Sequence, residues 1–161
     1  MHLASSSRIV HAPKSAVWAV LDDFGAVSAY NPSVASSRIV NDVETGTGAR
    51  RECVFEDGSR IEETIVDYCP EDGYTVEFTD VGSYPLVENV VTIAVTALDD
   101  RHTEVTFTAE FTPKYGPLGW LMGRVLMESA FEKRFDEVLE GLAAYVRTDD
   151  VEPHGAATSS A

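Results

Sequence analysis

Alternating apolar and polar residues dominate the middle of the chain, from about residue 35 to residue 112. Alternation with a period of two is typical of strands that bury one face, and clusters of glycine, proline and aspartate separate these stretches as turns do. Together with one short stretch near the start, the pattern predicts strands at residues 3–11, 35–42, 48–56, 59–68, 74–79, 86–98 and 103–112. The last six are expected to form a meander of antiparallel hairpins, because the turns between them are short.

A first helical stretch follows the first predicted strand. Ala12 and Pro13 begin it, with proline at a position where its missing N–H costs nothing. Apolar residues at helical spacing continue as far as Leu21. One further helical turn is predicted at 26–30, before an Asn-Pro pair stops it.

A long amphipathic helix is predicted near the other end of the chain, from Leu118 to about Arg147. Its apolar residues fall at steps of three and four, as one buried helix face requires. The remaining residues, 149–161, are small, polar and acidic, which predicts a disordered tail. Since the sequence contains no internal repeat, we expect a single domain over residues 1–148.

The lengths of the hairpin loops predict which residues face each other across the sheet. A three-residue loop between the last two strands pairs Val95 with Val105 and places the apolar residues of both strands on one face. A three-residue loop at 56–58, with glycine in the left-handed position, places Arg51 opposite Glu63. Both charged residues are then expected to point inward, where an ion pair could anchor a polar group of a ligand. The alternative is a structural cross-strand pair near the sheet surface.

Motifs in the first half of the chain resemble those of a known superfamily. Two stretches carry the resemblance: Ile9-x-x-Ala12-Pro13-x-x-x-Val17-Trp18-x-x-Leu21-x-Asp23-Phe24 followed by Tyr30-Asn31-Pro32, and Gly48-x-x-Arg51-Glu52 followed by Glu63-x-Ile65-x-Asp67. They resemble the START-like, birch-pollen-allergen-like helix-grip superfamily (SRPBCC), and more narrowly its polyketide cyclase/dehydrase and lipid-transport group. The resemblance covers about residues 9–146. Tyr30 departs from the pattern, since many relatives carry tryptophan there, but the aromatic character is kept.

The resemblance implies an α+β helix-grip fold. In this fold a curved antiparallel sheet of about seven strands wraps around a long C-terminal helix, and two short helices follow the first strand. A sheet that grips a helix leaves an internal cavity, lined by apolar side chains with a few polar groups that orient a guest. The fold hosts carriers, receptors, chaperone cofactors and enzymes, so it does not define one activity. In the abscisic-acid receptors of this superfamily, the residues that match Arg51 and Glu63 belong to the polar network around the ligand.

Composition narrows the choice of partner and compartment. The chain carries 27 acidic against 12 basic residues among its 161, a net charge of −15. Nucleic acids and anionic membrane surfaces are therefore poor partners, and no apolar stretch is long enough for stable insertion in a membrane. The first residues do not resemble a signal peptide, so we expect a cytoplasmic protein. The excess of acids over lysines also resembles proteins adapted to a high-salt cytoplasm.

Candidate ligand-binding residues lie on the predicted inner face of the sheet and around the expected mouth of the cavity. They are Arg51, Glu63, Tyr74, Phe78, Asn89, Phe107, Tyr115, Trp120, Met122 and Val125. Counting back from Val91 in steps of two turns Asn89 inward, where its amide could bond a guest or be satisfied by backbone. The spacing of cysteines and histidines predicts no metal site, and the sequence predicts no cofactor.

Enzyme motifs are scarce, so the sequence favours binding or transport of a small hydrophobic molecule of polyketide, lipid or isoprenoid type. A cyclase, aromatase or dehydratase without metal or nucleotide cofactor stays open, with Glu63 as acid or base and Arg51 polarising a carbonyl. A neighbouring arginine stabilises the charged carboxylate and makes it a weaker base, which favours binding. A third possibility is a protein-binding module of the chaperone-cofactor type, favoured if Phe55, Phe107 and Phe135 fill the cavity. The sequence is compatible with a monomer or a homodimer.

Overall fold

The fold is a single antiparallel sheet combined with helices. The computed structural model describes residues 2–82, 86–114, 116–122 and 126–158. The strands are β1 (His2–Val10), β2 (Val34–Ile39), β3 (Arg50–Phe55), β4 (Arg60–Cys69), β5 (Gly73–Asp80), β6 (Leu86–Asp99) and β7 (His102–Pro113). The helices are α1 (Lys14–Asp22), a 3₁₀ helix (Phe24–Ala29), α2 (Gly116–Met122) and α3 (Glu128–Thr158). The strands follow the order β1-β7-β6-β5-β4-β3-β2, so the predicted α+β arrangement is confirmed.

The segment between β1 and β2 carries the chain from one edge of the sheet to the other, because β1 pairs with β7 and β2 with β3. α1 and the 3₁₀ helix make this crossing. Val17, Leu21 and Phe24 fix it by packing into the core, where each is at most 1% exposed. Full burial of such a side chain contributes about 1.5–3 kcal/mol. The crossing therefore places the backbone carbonyl of Phe24 firmly against the inner face of the sheet.

The strand registers predicted from loop lengths are confirmed. Val95 pairs with Val105, and Arg51 pairs with Glu63. The hairpin between β3 and β4 turns at Gly58, whose φ of +84° is the left-handed conformation that glycine adopts without strain. These registers turn most of the apolar residues of β4 to β7 towards one face, which forms the core.

The C-terminal helical region differs from the unbroken helix predicted from Leu118 to about Arg147. α2 ends at Met122, α3 begins at Glu128, and a π-helical turn lies at 126–127. Glycines at 119 and 123 of the sequence weaken a continuous helix here. α3 is described as far as Thr158, and the tail predicted at 149–161 stays a prediction. The domain boundary at 148 stays a prediction, because no side-chain contact of residues 148–158 is described.

α3 lies across the inner face of the sheet, next to β1 and β7. Val138, Leu139 and Leu142 anchor it, each at most 3% exposed. Gly141 allows the close approach of the helix to the segment before β2, because a Cβ there would lie 2.1 Å from the carbonyl oxygen of Tyr30. The helix is thus fixed tightly along its middle, and space remains between its N-terminal half and the sheet.

Candidate ligand-binding site

A cavity of about 220 Å³ lies between the inner face of the sheet and α3. The sheet contributes Ile61, Val76, Phe78, Leu86, Val91, Ile93 and Phe107 to its lining, and α3 contributes Phe131, Phe135 and Val138. Phe135 packs against Phe107 and Phe131, with ring centres 5.6 and 5.9 Å away. The three rings form one continuous apolar wall. The cavity is suited to a guest that is itself largely apolar.

A buried ion pair interrupts this apolar lining. The Nε of Arg51 donates to the Oε2 of Glu63 at 2.6 Å, and the two side chains are only 7% and 9% exposed. The Nη1 of Arg51 donates to the carbonyl oxygen of Phe24 at 2.9 Å, and its guanidinium lies 4.0 Å from the centre of the Phe24 ring. Burial is the largest single influence and lowers the pKa of Arg51, but the Glu63 carboxylate together with Cys53, Tyr74 and Tyr30 outweighs it, so the pKa stands above its ordinary value. Arg51 is therefore held as a cation inside the protein.

Two tyrosines line the cavity together with the ion pair. Tyr30 and Tyr74 are 5% and 4% exposed, and the Tyr74 hydroxyl donates to the carbonyl oxygen of Leu21 at 3.4 Å. Burial raises the pKa of both tyrosines, and that of Tyr30 is raised further by Tyr74. Both hydroxyls therefore stay protonated at neutral pH and can donate hydrogen bonds. The sequence analysis treated Tyr30 only as an aromatic substitution and missed its place in this polar cluster.

Cys53 lies beside the ion pair on β3. Its Sγ is 3.9 Å from the Oε2 of Glu63. Burial, followed by the Glu63 charge, raises the pKa of Cys53 to about 12. The sulfur is therefore a neutral thiol at physiological pH and a poor nucleophile.

One end of the cavity is more polar and reaches the surface. Asn31, Ser33 and Arg134 line it, and the exposed Arg134 holds its guanidinium 5.8 Å from the centre of the Phe55 ring. The sequence analysis missed these residues. A usable signal existed for Arg134, because it lies between Phe131 and Phe135 on a helix whose neighbouring face was expected to line the cavity.

The structure brings together half of the site residues predicted from the sequence. Those that line the cavity are Arg51, Glu63, Tyr74, Phe78 and Phe107. Asn89 is fully buried on the same face of the sheet but does not itself line the cavity. Tyr115 and Val125 lie outside the described residues, as do the side chains of Trp120 and Met122, whose backbone belongs to α2.

Two features are absent from the part of the chain that the structure describes. No helix there is both long and apolar enough to cross a membrane. Within the same residues, no group of three or more histidine, cysteine, aspartate or glutamate side chains is placed to hold a metal ion.

A seven-stranded antiparallel sheet that grips a C-terminal helix around an apolar cavity defines the helix-grip class of proteins. The chain belongs to the family described as polyketide cyclase/dehydrase and lipid transport, whose family model matches residues 1–147. No curated protein matches the sequence.

Solved structures with the same fold cover nearly the whole chain. The Zhui aromatase/cyclase from Streptomyces sp. R1128 is 16% identical, with a TM-score of 0.76 over 91% of this chain and 93% of that one. The protein XoxI from Bacillus cereus is 18% identical, with a TM-score of 0.75 over 92% of this chain and 99% of that one. Ara h 8.0201 is 16% identical, with a TM-score of 0.71 over 91% of this chain and 98% of that one. At such identities these structures establish the shared fold and not a shared activity.

Proposed function

We propose that this protein binds a small hydrophobic molecule, of polyketide, lipid or isoprenoid type, inside the cavity between the sheet and α3. The observation that carries the proposal is the cavity itself, about 220 Å³ of space with an apolar lining and one buried ion pair in its wall. Removing apolar ligand surface from water provides roughly 25 cal/mol per Å² of driving force. The family assignment agrees with this use of the cavity.

The ion pair and the two tyrosines are proposed to orient the ligand. Arg51 uses one N–H group on Glu63 and another on the Phe24 carbonyl, and a guanidinium has further donors. Because the pair carries no net charge, it suits a neutral hydroxyl or carbonyl group better than an anion, which the Glu63 carboxylate would repel. The ligand should therefore be an apolar molecule with a neutral polar group at this end.

A cyclase or aromatase reaction is a second candidate, favoured by the cationic Arg51 held in the cavity wall. A buried guanidinium can polarise a ligand carbonyl. Glu63 would serve as the acid or base, but its Oε2 already accepts a hydrogen bond from Arg51 at 2.6 Å and is occupied by that contact. Binding without chemistry is the simpler use of this arrangement.

A protein-binding role without a ligand has less support. From the sequence, this role is favoured only if Phe55, Phe107 and Phe135 fill the interior of the cavity. All three instead line an open cavity. We therefore place a small-molecule ligand first.

Native mass spectrometry of the purified protein, in low and in high salt, tests the proposal through two matched variants. Val76 is buried and lines the cavity, whereas Val66 on the paired strand is 44% exposed on the other face. Val76→Phe should fill the cavity and Val66→Phe should not. We expect wild type and Val66→Phe to retain a small apolar mass and to bind the neutral fluorescent probe Nile red, and Val76→Phe to lose both. A folded wild-type protein that takes up neither, or a Val76→Phe variant that binds as wild type does, would refute the proposal.

A further inference from the structure

Asn89 is an anomaly in the core. It is 0% exposed on β6, yet neither the nitrogen nor the oxygen of its side-chain amide has a hydrogen-bond partner in the part of the chain that the structure describes. The large majority of buried polar atoms in proteins are paired, since leaving them unpaired is costly. The buried Thr103 shows the usual arrangement, with its hydroxyl donating to the carbonyl oxygen of Ala12 at 2.8 Å. The amide of Asn89 therefore needs a partner that the described part of the chain does not supply.

Asn89 shares a row of the sheet with the ion pair in the cavity wall. Glu63 pairs with Phe78 on β5. The last pair of the antiparallel ladder between β5 and β6 is Glu77 with Val90. Phe78 and Asn89 are the next residues of the two strands, so they face each other directly beyond that pair. Two strand spacings thus separate Glu63 from Asn89, roughly 10 Å between their backbones. Both residues are buried on the inner face.

A single layer of side chains separates the amide from the cavity. Val91, the next inward residue of β6, lines the cavity. Phe111, which pairs with Asn89, packs against Phe131 with ring centres 4.7 Å apart, and Phe131 also lines the cavity. Phe131 is only partly buried. Rotation of that ring would extend the cavity towards the amide.

We propose that Asn89 forms a second polar subsite, and that the ligand is an elongated apolar molecule with a polar group at each end. This inference rests on the proposed ligand-binding function. A primary amide presents a donor and an acceptor side by side, and a hydroxyl both donates and accepts. A hydroxyl can therefore pair with both atoms of Asn89, whereas a ketone or an ether can pair only with the nitrogen. The distal group is assigned as a hydroxyl, about two strand spacings from Glu63 of the ion pair.

Two biphenyl probes test the subsite. One is the biphenyl diol with both hydroxyls para to the ring junction, and the other is the matching mono-ol. We expect wild type to bind the diol about tenfold more tightly, a typical discrimination for one well-formed buried hydrogen bond. Asn89→Leu should abolish this preference and leave mono-ol affinity within about twofold. It should also raise the melting temperature of the empty protein, because it removes the unpaired amide. Thr103→Val is the matched control, expected to lower the melting temperature and keep the preference for the diol.

The possible outcomes separate this inference from the proposed function. Equal affinity of wild type for both probes overturns the subsite and leaves the proposed function standing, whereas binding of neither probe counts against the function as well. If Asn89→Leu loses affinity for the diol and the mono-ol to the same extent, Asn89 has a structural role and the inference is overturned. A lower melting temperature of that variant would do the same, because the amide would then be satisfied in the empty protein. As an independent readout, the side-chain NH₂ resonances of Asn89 in the wild type should shift with the diol and not with the mono-ol.

Discussion

Replacing Arg51 with methionine removes the cation from the buried ion pair while keeping a side chain of similar reach. The Glu63 carboxylate, with a side chain 9% exposed, then loses its partner at 2.6 Å. The carbonyl oxygen of Phe24 loses its donor at 2.9 Å as well. Both acceptors stay in a wall from which water is largely excluded.

The expected loss of stability follows from these contacts. Breaking a buried ion pair from one side costs about 3–5 kcal/mol. The unpaired Phe24 carbonyl adds about 1 kcal/mol. A domain of this size loses about 2–4 °C of melting temperature per kcal/mol, so Arg51→Met should melt roughly 10 °C or more below wild type.

A double-mutant cycle isolates the interaction of the two side chains. Glu63→Leu alone should cost a similar amount, because it leaves the Arg51 guanidinium uncompensated. The double variant Arg51→Met/Glu63→Leu should recover most of the loss, since apolar residues commonly replace a buried pair at neutral or better stability. The free energy of unfolding is measured by guanidinium denaturation at pH 7, with m-values compared to verify that every variant unfolds in the same way.

Two results would refute this reasoning. If each single variant loses less than about 1 kcal/mol and the double variant is additive, the pair behaves as a solvated surface pair and the wall is open to water. The same variants also test the ligand role. If the double variant binds the biphenyl mono-ol as tightly as wild type, Arg51 and Glu63 are structural and do not orient the ligand.

Two further predictions concern the packing around the cavity. Gly141→Ala should destabilise the protein by about 1–3 kcal/mol in guanidinium denaturation, because the new Cβ would lie 2.1 Å from the Tyr30 carbonyl oxygen and α3 would have to move; an unchanged midpoint would show that the helix is not held closely there. In a thiol titration with dithionitrobenzoate at pH 8, the exposed Cys69 should react at once, and Cys53, whose burial raises its pKa to about 12, should react only on unfolding. Two fast-reacting thiols in the folded protein would contradict the buried position of Cys53.

Strand pairing could be predicted from the sequence because it depends on local features. Loop length and alternation determine the register of a hairpin, and a slip of one residue would turn every apolar residue outward. The opposition of Arg51 and Glu63 followed from this rule, and so did the inward direction of Asn89. The fold as a whole was reached only with the help of the family resemblance.

The remaining features depend on contacts between distant segments. Tyr30 joins the polar cluster because the 3₁₀ helix crosses the sheet, and no local pattern encodes that crossing. The π-helical turn at 126–127 was not predicted either, since the apolar spacing runs through it without a break. That the Asn89 amide is unpaired could be learned only from the packing around it.

The polar residues in the core are difficult to explain by stability. A buried ion pair such as Arg51–Glu63 contributes no more to folding than apolar residues of similar volume would, and the unpaired amide of Asn89 is a net cost. A protein with apolar residues at these three positions would therefore be at least as stable. These three residues instead lie on β3, β4 and β6 and are buried on one face of the sheet, and two of them line a cavity that has room for a guest. The proposed recognition of polar groups on an otherwise apolar ligand would account for both their identity and their place in the sheet.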